Sequence, residues 1–146
     1  MLAAAVLAGV AGIGATLIAT NPAPEVPLIS SRDVVESTQP YIVKLHAQWC
    51  PVCIITKDEW SDVQEAYAGR VRFVVFNFTT DATTEVSRME ARRLGLDAAF
   101  EEYSGETGTV LVLDGRSKEV RHVLHGMRNV AEYRAAIDAA LSGKHD

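Results

Sequence analysis

Two cysteines, Cys50 and Cys53, are the residues of this chain whose type and spacing most directly indicate chemistry. No other cysteine occurs, so a scaffold held by several disulfides is excluded, and a bond between the two would enclose only two residues. Such a short loop removes little entropy from the unfolded chain, so a disulfide here suits a reversible reaction better than a structural role. The pair therefore predicts thiol-disulfide chemistry.

A metal site and an inert bridge are the alternatives for this pair. Structural zinc usually takes four Cys or His ligands. His46 is the only histidine close to the two cysteines in sequence, and it is equally well explained as an ordinary side chain at the end of a strand. His122 and His125 are three residues apart in a predicted strand, so they point to opposite faces and chelate poorly. We favour the redox role and expect neither a cofactor nor a resident metal.

The elements predicted around the cysteines place the two sulfurs differently. Tyr41 to His46 form an apolar strand, and Cys50 to Ala68 have the pattern of a helix. One face of that helix carries Cys53, Trp60, Val63 and Tyr67. Cys50 would lie at the helix N-terminus, where unpaired amides and a partial positive charge stabilise a thiolate, whereas Cys53 would face the core.

The rest of the chain alternates in the manner of an α/β domain. Val71 to Phe78 is a near-continuous apolar run, as expected of a strand covered on both faces. Two helices are predicted next, one over Thr84 to Leu94 that ends at Gly95 and a short one over Asp97 to Tyr103. A hairpin of Thr109 to Leu113 and Val120 to Leu124 turns at Asp114-Gly115. A last helix begins with a capping box of Asn129 and Glu132.

The N-terminal segment differs in composition from the rest. Leu2 to Ala19 form a nearly unbroken apolar run of eighteen residues, close to the roughly 20 that cross a bilayer. We predict a transmembrane anchor over 1–20, with a cleaved signal segment and a buried core helix as the alternatives. Asn21 to Pro27 is a proline-rich linker. The folded domain is expected over 28–146, beginning with a short helix that Ser30 or Ser31 caps and that ends at Ser37.

Ala47 to Cys53 have the pattern A-x-W-C-x-x-C, directly after a predicted strand and at the start of a predicted helix. Together with the β-α-β arrangement, the hairpin and the closing helix, this run resembles the thioredoxin superfamily over roughly Val26 to Leu141. The resemblance implies a thioredoxin-like α/β fold with a central mixed sheet flanked by helices, preceded here by an N-terminal apolar helix. It also implies that Trp49 shields the active-site surface and that Pro51 and Val52 tune the redox potential.

One departure from thioredoxin lies opposite the cysteines. The family usually holds a cis-proline there, to expose backbone groups to substrate and to keep metal from the thiols, but no proline follows Pro51. Thr107-Gly108-Thr109 stands at the equivalent place, with Gly108 where the proline would be. Because glycine lacks a Cβ and can adopt an unusual backbone, we hypothesise that Thr107 offers its backbone to substrate.

Two further departures concern charge and length. Lys44 stands where thioredoxin has a buried acid, and Val75 replaces a thioredoxin lysine. The Lys44 ammonium would either reach the cysteines and favour a thiolate or extend to water. The segment from Asp97 to Glu106 is longer than the corresponding link in thioredoxin. We predict that it flanks the cysteines and restricts partners through Phe100, Glu101, Glu102 and Tyr103.

These observations predict a membrane-anchored thiol-disulfide oxidoreductase that acts on protein disulfides or dithiols outside the cytoplasm. The expected catalytic residues are Cys50 and Cys53. The expected substrate-binding residues are Trp49, Pro51, Val52, Thr107 and Gly108, and the expected modulating residues are Lys44 and His46. A membrane electron donor or acceptor is the implied partner, and reduction is slightly favoured because the domain is small and lacks a large inserted helical domain.

Other functional classes are less well supported by the sequence. The formal net charge is −5 and the pI is about 5.3, without a basic stripe, which argues against a nucleic-acid partner. A thiol-based copper metallochaperone is the main alternative, since soft thiolates suit Cu(I) and the usual proline is absent. A non-enzymatic assembly factor with the same fold is the other.

Overall fold

The structure, a computed structural model, describes residues 38–126 and 129–143. The predicted anchor over 1–20, the linker over 21–27 and the helix predicted up to Ser37 lie outside these residues. The strands in the described ranges are β1 (Tyr41–His46), β2 (Arg72–Asn77), β3 (Thr109–Leu113) and β4 (Val120–His125). The helices there are α1 (Pro51–Ile55), α2 (Lys57–Ala66), α3 (Asp81–Leu94), α4 (Asp97–Glu102) and α5 (Val130–Ser142).

The strands of the described residues form one mixed sheet in the order β2-β1-β3-β4. β1 runs parallel to β2, with Val43 opposite Val74, and antiparallel to β3, with Val43 opposite Leu111. α1 and α2 make the crossover that parallel pairing of β1 with β2 requires. β4 returns antiparallel to β3 as the second half of the predicted hairpin. The predicted α/β fold, a mixed sheet flanked by helices, is confirmed.

β1 sends alternate side chains into two apolar cores, one on each face of the sheet. Val43 and Leu45 lie in the core that α3 and α4 cover, together with Phe76 and Phe100. Ile42 lies in the opposite core, whose members on α2 and α5 include Trp60, Val63, Tyr133 and Ile137. By the same alternation Lys44 shares the face of Ile42, so β1 carries one ammonium group into the layer of α2 and α5.

The predicted helix over Cys50 to Ala68 is divided into α1 and α2 at Thr56. The Thr56 hydroxyl donates to the Val52 carbonyl at 2.7 Å, and its backbone leaves helical geometry, with ψ at 17°. A threonine that bonds back to the preceding turn in this way weakens regular helix at its own position. The face predicted to be buried is nevertheless buried across the break, including Cys53 and Trp60.

Two boundaries differ from the predicted ones because polar side chains bond to the backbone. α3 begins at Asp81, three residues before the predicted Thr84, because the hydroxyls of Thr80 and Thr83 cap each other's amides at 3.2 Å and 2.9 Å. The β3–β4 connection spans residues 114–119, longer than a two-residue turn. The Asp114 carboxylate organises it by accepting from the amides of residues 116 and 117, both at 2.8 Å.

Two expectations about exposure were wrong. β2 is not covered on both faces, because it lies at one end of the described sheet and Val75 keeps 45% of its surface exposed. Phe100 is fully buried, with its ring 5.2 Å from that of Phe76 and 5.4 Å from that of Phe78, so it contacts the core and not a partner. Glu101 is exposed and pairs with Arg88 of α3 at 3.1 Å.

Candidate active site

Cys50 caps the N-terminus of α1. Its Sγ accepts a hydrogen bond from the Cys53 amide at 3.3 Å, which satisfies one of the amides that the first turn of a helix leaves unpaired. Pro51 follows at the start of the helix, where the missing amide hydrogen costs no helical bond. The chain thus places a sulfur atom where an oxygen usually caps a helix, with the second sulfur one turn later.

Both cysteines are free thiols, and each residue keeps only 3% of its surface exposed. The Cys53 thiol donates to the Leu45 carbonyl near the end of β1 at 3.7 Å. The inward orientation predicted for Cys53 is confirmed. The burial of Cys50 was not foreseen from the sequence, and it arises from the close approach of Gly108, where an added Cβ would lie 3.5 Å from the Cys50 Sγ.

The pKa values of the two thiols shift in opposite directions. Burial raises the pKa of Cys50, but hydrogen bonds from the Cys53 thiol, the Thr107 hydroxyl and the amides of Cys53 and Val52 outweigh burial and bring the pKa below its ordinary value. The one proton of the Cys53 thiol bonds to the Cys50 sulfur in place of the Leu45 carbonyl when Cys50 is ionised. Burial raises the pKa of Cys53, and its hydrogen bond to Cys50 raises this pKa further. The negative charge of the pair therefore resides mainly on Cys50.

The hydrogen bond from Thr107 to Cys50 gives a testable expectation. Thr107→Val removes a donor to the thiolate and is expected to raise the Cys50 pKa, since a hydrogen bond to a charged group contributes about 1.5–3 kcal/mol. Thiolate absorbance during a pH titration measures this pKa. Ser104→Ala, in the same exposed loop, is the matched control. Equal Cys50 pKa values in the wild type and Thr107→Val would contradict the assigned hydrogen bond.

Gly108 lies against the cysteine motif, at the place where the resemblance puts a proline in other members. Its φ is +87°, a conformation that side chains rarely adopt, and a Cβ added there would lie 2.9 Å from Val52. The described residues contain no cis peptide bond. Close approach to Cys50 is therefore achieved by a glycine in a left-handed conformation.

The backbone around Gly108 is largely committed to internal hydrogen bonds. The Gly108 amide donates to the Leu45 carbonyl at 2.8 Å, and the Gly108 carbonyl accepts from the Gly126 amide at 3.1 Å. The Thr107 amide donates to the Gly105 carbonyl at 2.8 Å. The Thr107 carbonyl takes part in none of these bonds, so the hypothesis that Thr107 pairs with substrate rests on this acceptor.

An exposed apolar surface surrounds the motif. Trp49 keeps 61% of its surface exposed, and its indole Nε1 donates to the Thr79 carbonyl at 3.3 Å, which orients the ring. Ile54 and Ile55 of α1 are exposed as well, as is Pro51. Exposed large apolar groups beside a buried thiol are suited to contact with a partner chain.

Lys44 is buried, with 7% of its surface exposed, so the reading in which its ammonium extends to water was wrong. Its Nζ lies 5.1 Å from the centroid of the Trp60 ring. Burial lowers the pKa of Lys44, while negative charge on Cys53, Cys50 and Glu59 raises it. His46 is half-buried, and burial together with the Lys44 charge lowers its pKa, so its imidazole is neutral at pH 7.

Two residues of this buried layer were missed as functional candidates. Glu59 lies on α2, and its Oε2 is shielded from solvent without a hydrogen-bond partner among the described residues. Tyr133 lies on α5, and burial raises its pKa to about 12, with contributions from the charges of Glu59 and Cys53. Tyr133 fits an apolar helix face, and Glu59 follows the polar residues Lys57 and Asp58, so neither carries a distinguishing sequence signal.

Two features are absent from residues 38–126 and 129–143. No group of three or more His, Cys, Asp or Glu side chains is placed to hold a metal ion. Across those same residues, every helix is too short or too polar to cross a bilayer.

The parallel crossover, the hairpin and the paired thiols at the start of α1 define a domain with the thioredoxin-like fold. Solved structures with similar folds include a thioredoxin-like protein from Clostridium perfringens, at 16% identity and a TM-score of 0.52, covering 76% of this chain and 77% of that one. DsbF from MTB is 17% identical, with a TM-score of 0.50 and coverage of 70% and 81%. The thioredoxin-like fold that the resemblance implies is thereby confirmed.

A thiol:disulfide interchange protein from Chlorobium tepidum TLS is also similar, at 25% identity and a TM-score of 0.48, with 76% of this chain and 84% of that chain covered. No protein-family model and no curated protein matches this chain.

Proposed function

We propose that this chain is a thiol-disulfide oxidoreductase that exchanges a Cys50–Cys53 dithiol or disulfide with protein substrates. The observation that carries the proposal is the placement of two free thiols one helical turn apart, with the Cys50 Sγ capping α1 and accepting from the Cys53 amide at 3.3 Å. The opposite directions of the two pKa shifts agree with this placement. The thiol at the helix N-terminus is the more acidic one and can attack as a thiolate, while its neighbour stays protonated until it is needed. The exposed Trp49 and α1 side chains supply a surface for the protein substrate.

In the reductive direction the proposed reaction has two exchanges. The Cys50 thiolate attacks one sulfur of the substrate disulfide, forming a mixed disulfide and releasing the other substrate sulfur as a thiolate that takes up a proton. Cys53 then loses its proton and attacks the Cys50 Sγ, so the Cys50–Cys53 bond forms and the second substrate thiolate leaves. The substrate gains two electrons and the cysteine pair loses two. The reverse sequence oxidises a substrate dithiol.

We propose further that the chain is anchored in a membrane by residues 1–20 and joined through the linker over 21–27 to a thioredoxin-like domain over 28–146 outside the cytoplasm. The apolar run and the proline-rich segment support this arrangement. We propose reduction as the favoured direction, with a membrane electron donor as the partner. DsbF from MTB has been solved in mixed oxidised and reduced forms, and the proposal requires an oxidised and a reduced state of the Cys50–Cys53 pair here.

Reduction of insulin disulfides by the full chain, with dithiothreitol as the electron source, tests the proposed activity. We expect catalysed precipitation of the released insulin chains by the wild type and only the uncatalysed rate with the Cys50→Ser/Cys53→Ser double variant. Equal rates for the two would exclude the enzymatic function and leave the assembly-factor alternative. The reduction potential of the pair then places the protein between donors and acceptors, since about 30 mV corresponds to about 1.4 kcal/mol.

The copper-chaperone alternative has one structural observation in its favour. Gly108 presents no side chain to the cysteines, so the guard against metal that the resemblance assigns to proline is absent. Metal analysis of chain purified under reducing conditions separates the two functions. Stoichiometric copper that the double cysteine variant lacks would support the chaperone, whereas a metal-free chain that reduces insulin supports the oxidoreductase.

A further inference from the structure

Lys44, which is buried, and Glu59, which is half-buried, are charged groups that the two exchange steps do not use. Lys44 extends from β1 into the layer between the sheet and α2, beside the ring of Trp60. Glu59 directly precedes Trp60 on α2, and its Oε2 is closed off from solvent with no hydrogen-bond partner among the described residues. In the described part of the chain Lys44 makes no salt bridge, so its ammonium is not committed to one anion.

The groups that face Lys44 come from several elements. The Cys53 sulfur lies against the same strand, 3.7 Å from the carbonyl of Leu45, the residue that follows Lys44. Negative charge on Cys53, Cys50 or Glu59 stabilises the Lys44 ammonium, with the largest effect from Cys53. The Lys44 charge acts in return on Cys53 and on His46 of its own strand, and Tyr133 of α5 responds to both Glu59 and Cys53. These groups share a poorly solvated layer, where charges interact strongly. An anion close to the Lys44 ammonium therefore weakens the stabilisation that the ammonium gives to the other anions.

We propose that Lys44 and Glu59 form a positioning pair that controls when Cys53 ionises: Lys44 stabilises the Cys53 thiolate, and Glu59 competes with that thiolate for the same ammonium. This inference rests on the proposed function, because the ionisation of Cys53 matters only for the second exchange. Neither residue touches the substrate, and both act through Cys53.

The order of events follows from the charges. When Cys50 is bonded to substrate it no longer carries a negative charge, so one of the anions near Lys44 is lost and the ammonium becomes available. Cys53 then gives its proton to water or a buffer base, and its thiolate is stabilised by Lys44. The Cys53 sulfur attacks the Cys50 Sγ, the Cys50–Cys53 bond forms, and the bond from Cys50 to substrate breaks with its electron pair on the departing thiolate.

The pair predicts effects of opposite sign. Lys44→Met removes the stabilising cation, so Cys53 ionises less readily and the second exchange at neutral pH is expected to slow by about three- to tenfold. The loss of thiolate is partly offset by the greater nucleophilicity of a less acidic thiol. Glu59→Gln removes the competing anion, so the Lys44 ammonium stabilises the Cys53 thiolate more strongly. The second exchange is then expected to become about three- to tenfold faster. A merely structural role for these residues would slow the step in both variants.

Reaction of the reduced full chain with dithiobis(nitrobenzoate), followed by stopped flow, measures the two exchanges separately. The first thionitrobenzoate is released by Cys50, and the second is released when Cys53 displaces the group from Cys50. Lys57→Met and Asp58→Asn are the matched controls. They remove one positive and one negative charge, respectively, at exposed positions of α2, the helix that carries Glu59. We expect both controls to release the second equivalent at the wild-type rate.

The outcomes separate this inference from the proposed function. Absence of the second equivalent in the wild type would overturn the proposed function. Normal release in the wild type, with the Lys44→Met and Glu59→Gln rates unchanged or shifted in the same direction, would overturn only the role of the pair. If Lys44→Met does not fold, thiolate titration of Cys53 in a Cys50→Ser chain decides the question, because adding Glu59→Gln must lower the Cys53 pKa, and an unchanged or raised pKa overturns the role.

Discussion

A Cys53→Ser chain is expected to accumulate a mixed disulfide between Cys50 and a protein substrate, whereas a Cys50→Ser chain is expected to accumulate none. The difference follows from the site, because Cys50 has the lowered pKa and caps α1, while the Cys53 thiol has a raised pKa and bonds inward to the Leu45 carbonyl. Both variants should lose insulin reduction by roughly a thousandfold, since residues that act as a unit fail together. Non-reducing electrophoresis and mass spectrometry identify the trapped species.

The control for this trapping experiment is Ser61→Ala, which changes an exposed hydroxyl on α2 away from the thiols and should leave both turnover and the absence of trapping as in the wild type. Capture of substrate through Cys53 in the Cys50→Ser chain, at a rate similar to that of Cys50 in the Cys53→Ser chain, would reverse the assigned roles. The structure gives no route to that result, because the Cys53 thiol bonds inward to the Leu45 carbonyl.

Gly108→Ala is expected to lower the free energy of unfolding by about 2–5 kcal/mol. A left-handed backbone costs an L-residue about 1–2 kcal/mol, and the new Cβ would lie 2.9 Å from Val52, an overlap that adds about 1–3 kcal/mol. Relief of that contact displaces the loop over Cys50, so the first reaction with dithiobis(nitrobenzoate) should change as well. Denaturant unfolding of the reduced chain measures the stability.

Gly105→Ala is the matched control for this substitution. Gly105 has nearly the same φ, +83°, but nothing lies within 4 Å of an added Cβ. It should therefore show the backbone cost of about 1–2 kcal/mol without the overlap. Equal losses for the two alanines would mean that the contact of Gly108 with Val52 contributes nothing to stability.

Gly108→Pro is expected to be more damaging than Gly108→Ala. Proline holds φ near −65° and lacks the amide hydrogen that Gly108 donates to the Leu45 carbonyl. A proline at position 108, where thioredoxin-like proteins usually have one, is therefore expected to disrupt the loop of this chain. It is not expected to convert the loop to the cis-proline conformation. A Gly108→Pro chain as stable as the wild type would show that the loop can exchange one geometry for the other.

Several boundaries of helices and strands were predictable because local sequence signals agree with the fold at those places. β1 matches its predicted bounds, since an apolar run of strand length enters the sheet interior. α3 ends where Gly95 takes a left-handed conformation with φ at +71°. The opening of α5 was predictable for a similar reason, because the Asn129 side chain accepts from the Ala131 amide at 3.0 Å.

Other features depend on partners that periodicity does not reveal. The apolar residues of β2 have the composition of a strand with both faces buried. Whether both faces are buried depends on the position of the strand in the sheet, and β2 lies at one end of the described sheet. The burial of Phe100 depends on the rings of Phe76 and Phe78, which come from a different element. The break at Thr56 depends on one hydroxyl bond, and helical periodicity continues across it.

The candidate site was predictable in its sulfur chemistry and less so in its charges. The position of Cys50 at a helix N-terminus follows from the order strand, motif, helix. The sequence did not determine whether the Lys44 ammonium is buried or extends to water, because a lysine on a strand can do either, depending on the layer that packs against it. Glu59 enters the same layer only because α2 packs against the sheet beside Trp60.

The hydrogen bonds around Gly108 restrict the shape of any peptide that binds across the thiols. With three of the four polar backbone groups of Thr107 and Gly108 bonded internally, the loop offers an incoming chain a carbonyl and no amide. A partner must therefore bring its own N–H to this point, and a proline at the matching position of the partner could not be accommodated. Peptide libraries with the proline moved stepwise along the sequence around a reactive cysteine would reveal this restriction as one position where proline abolishes capture.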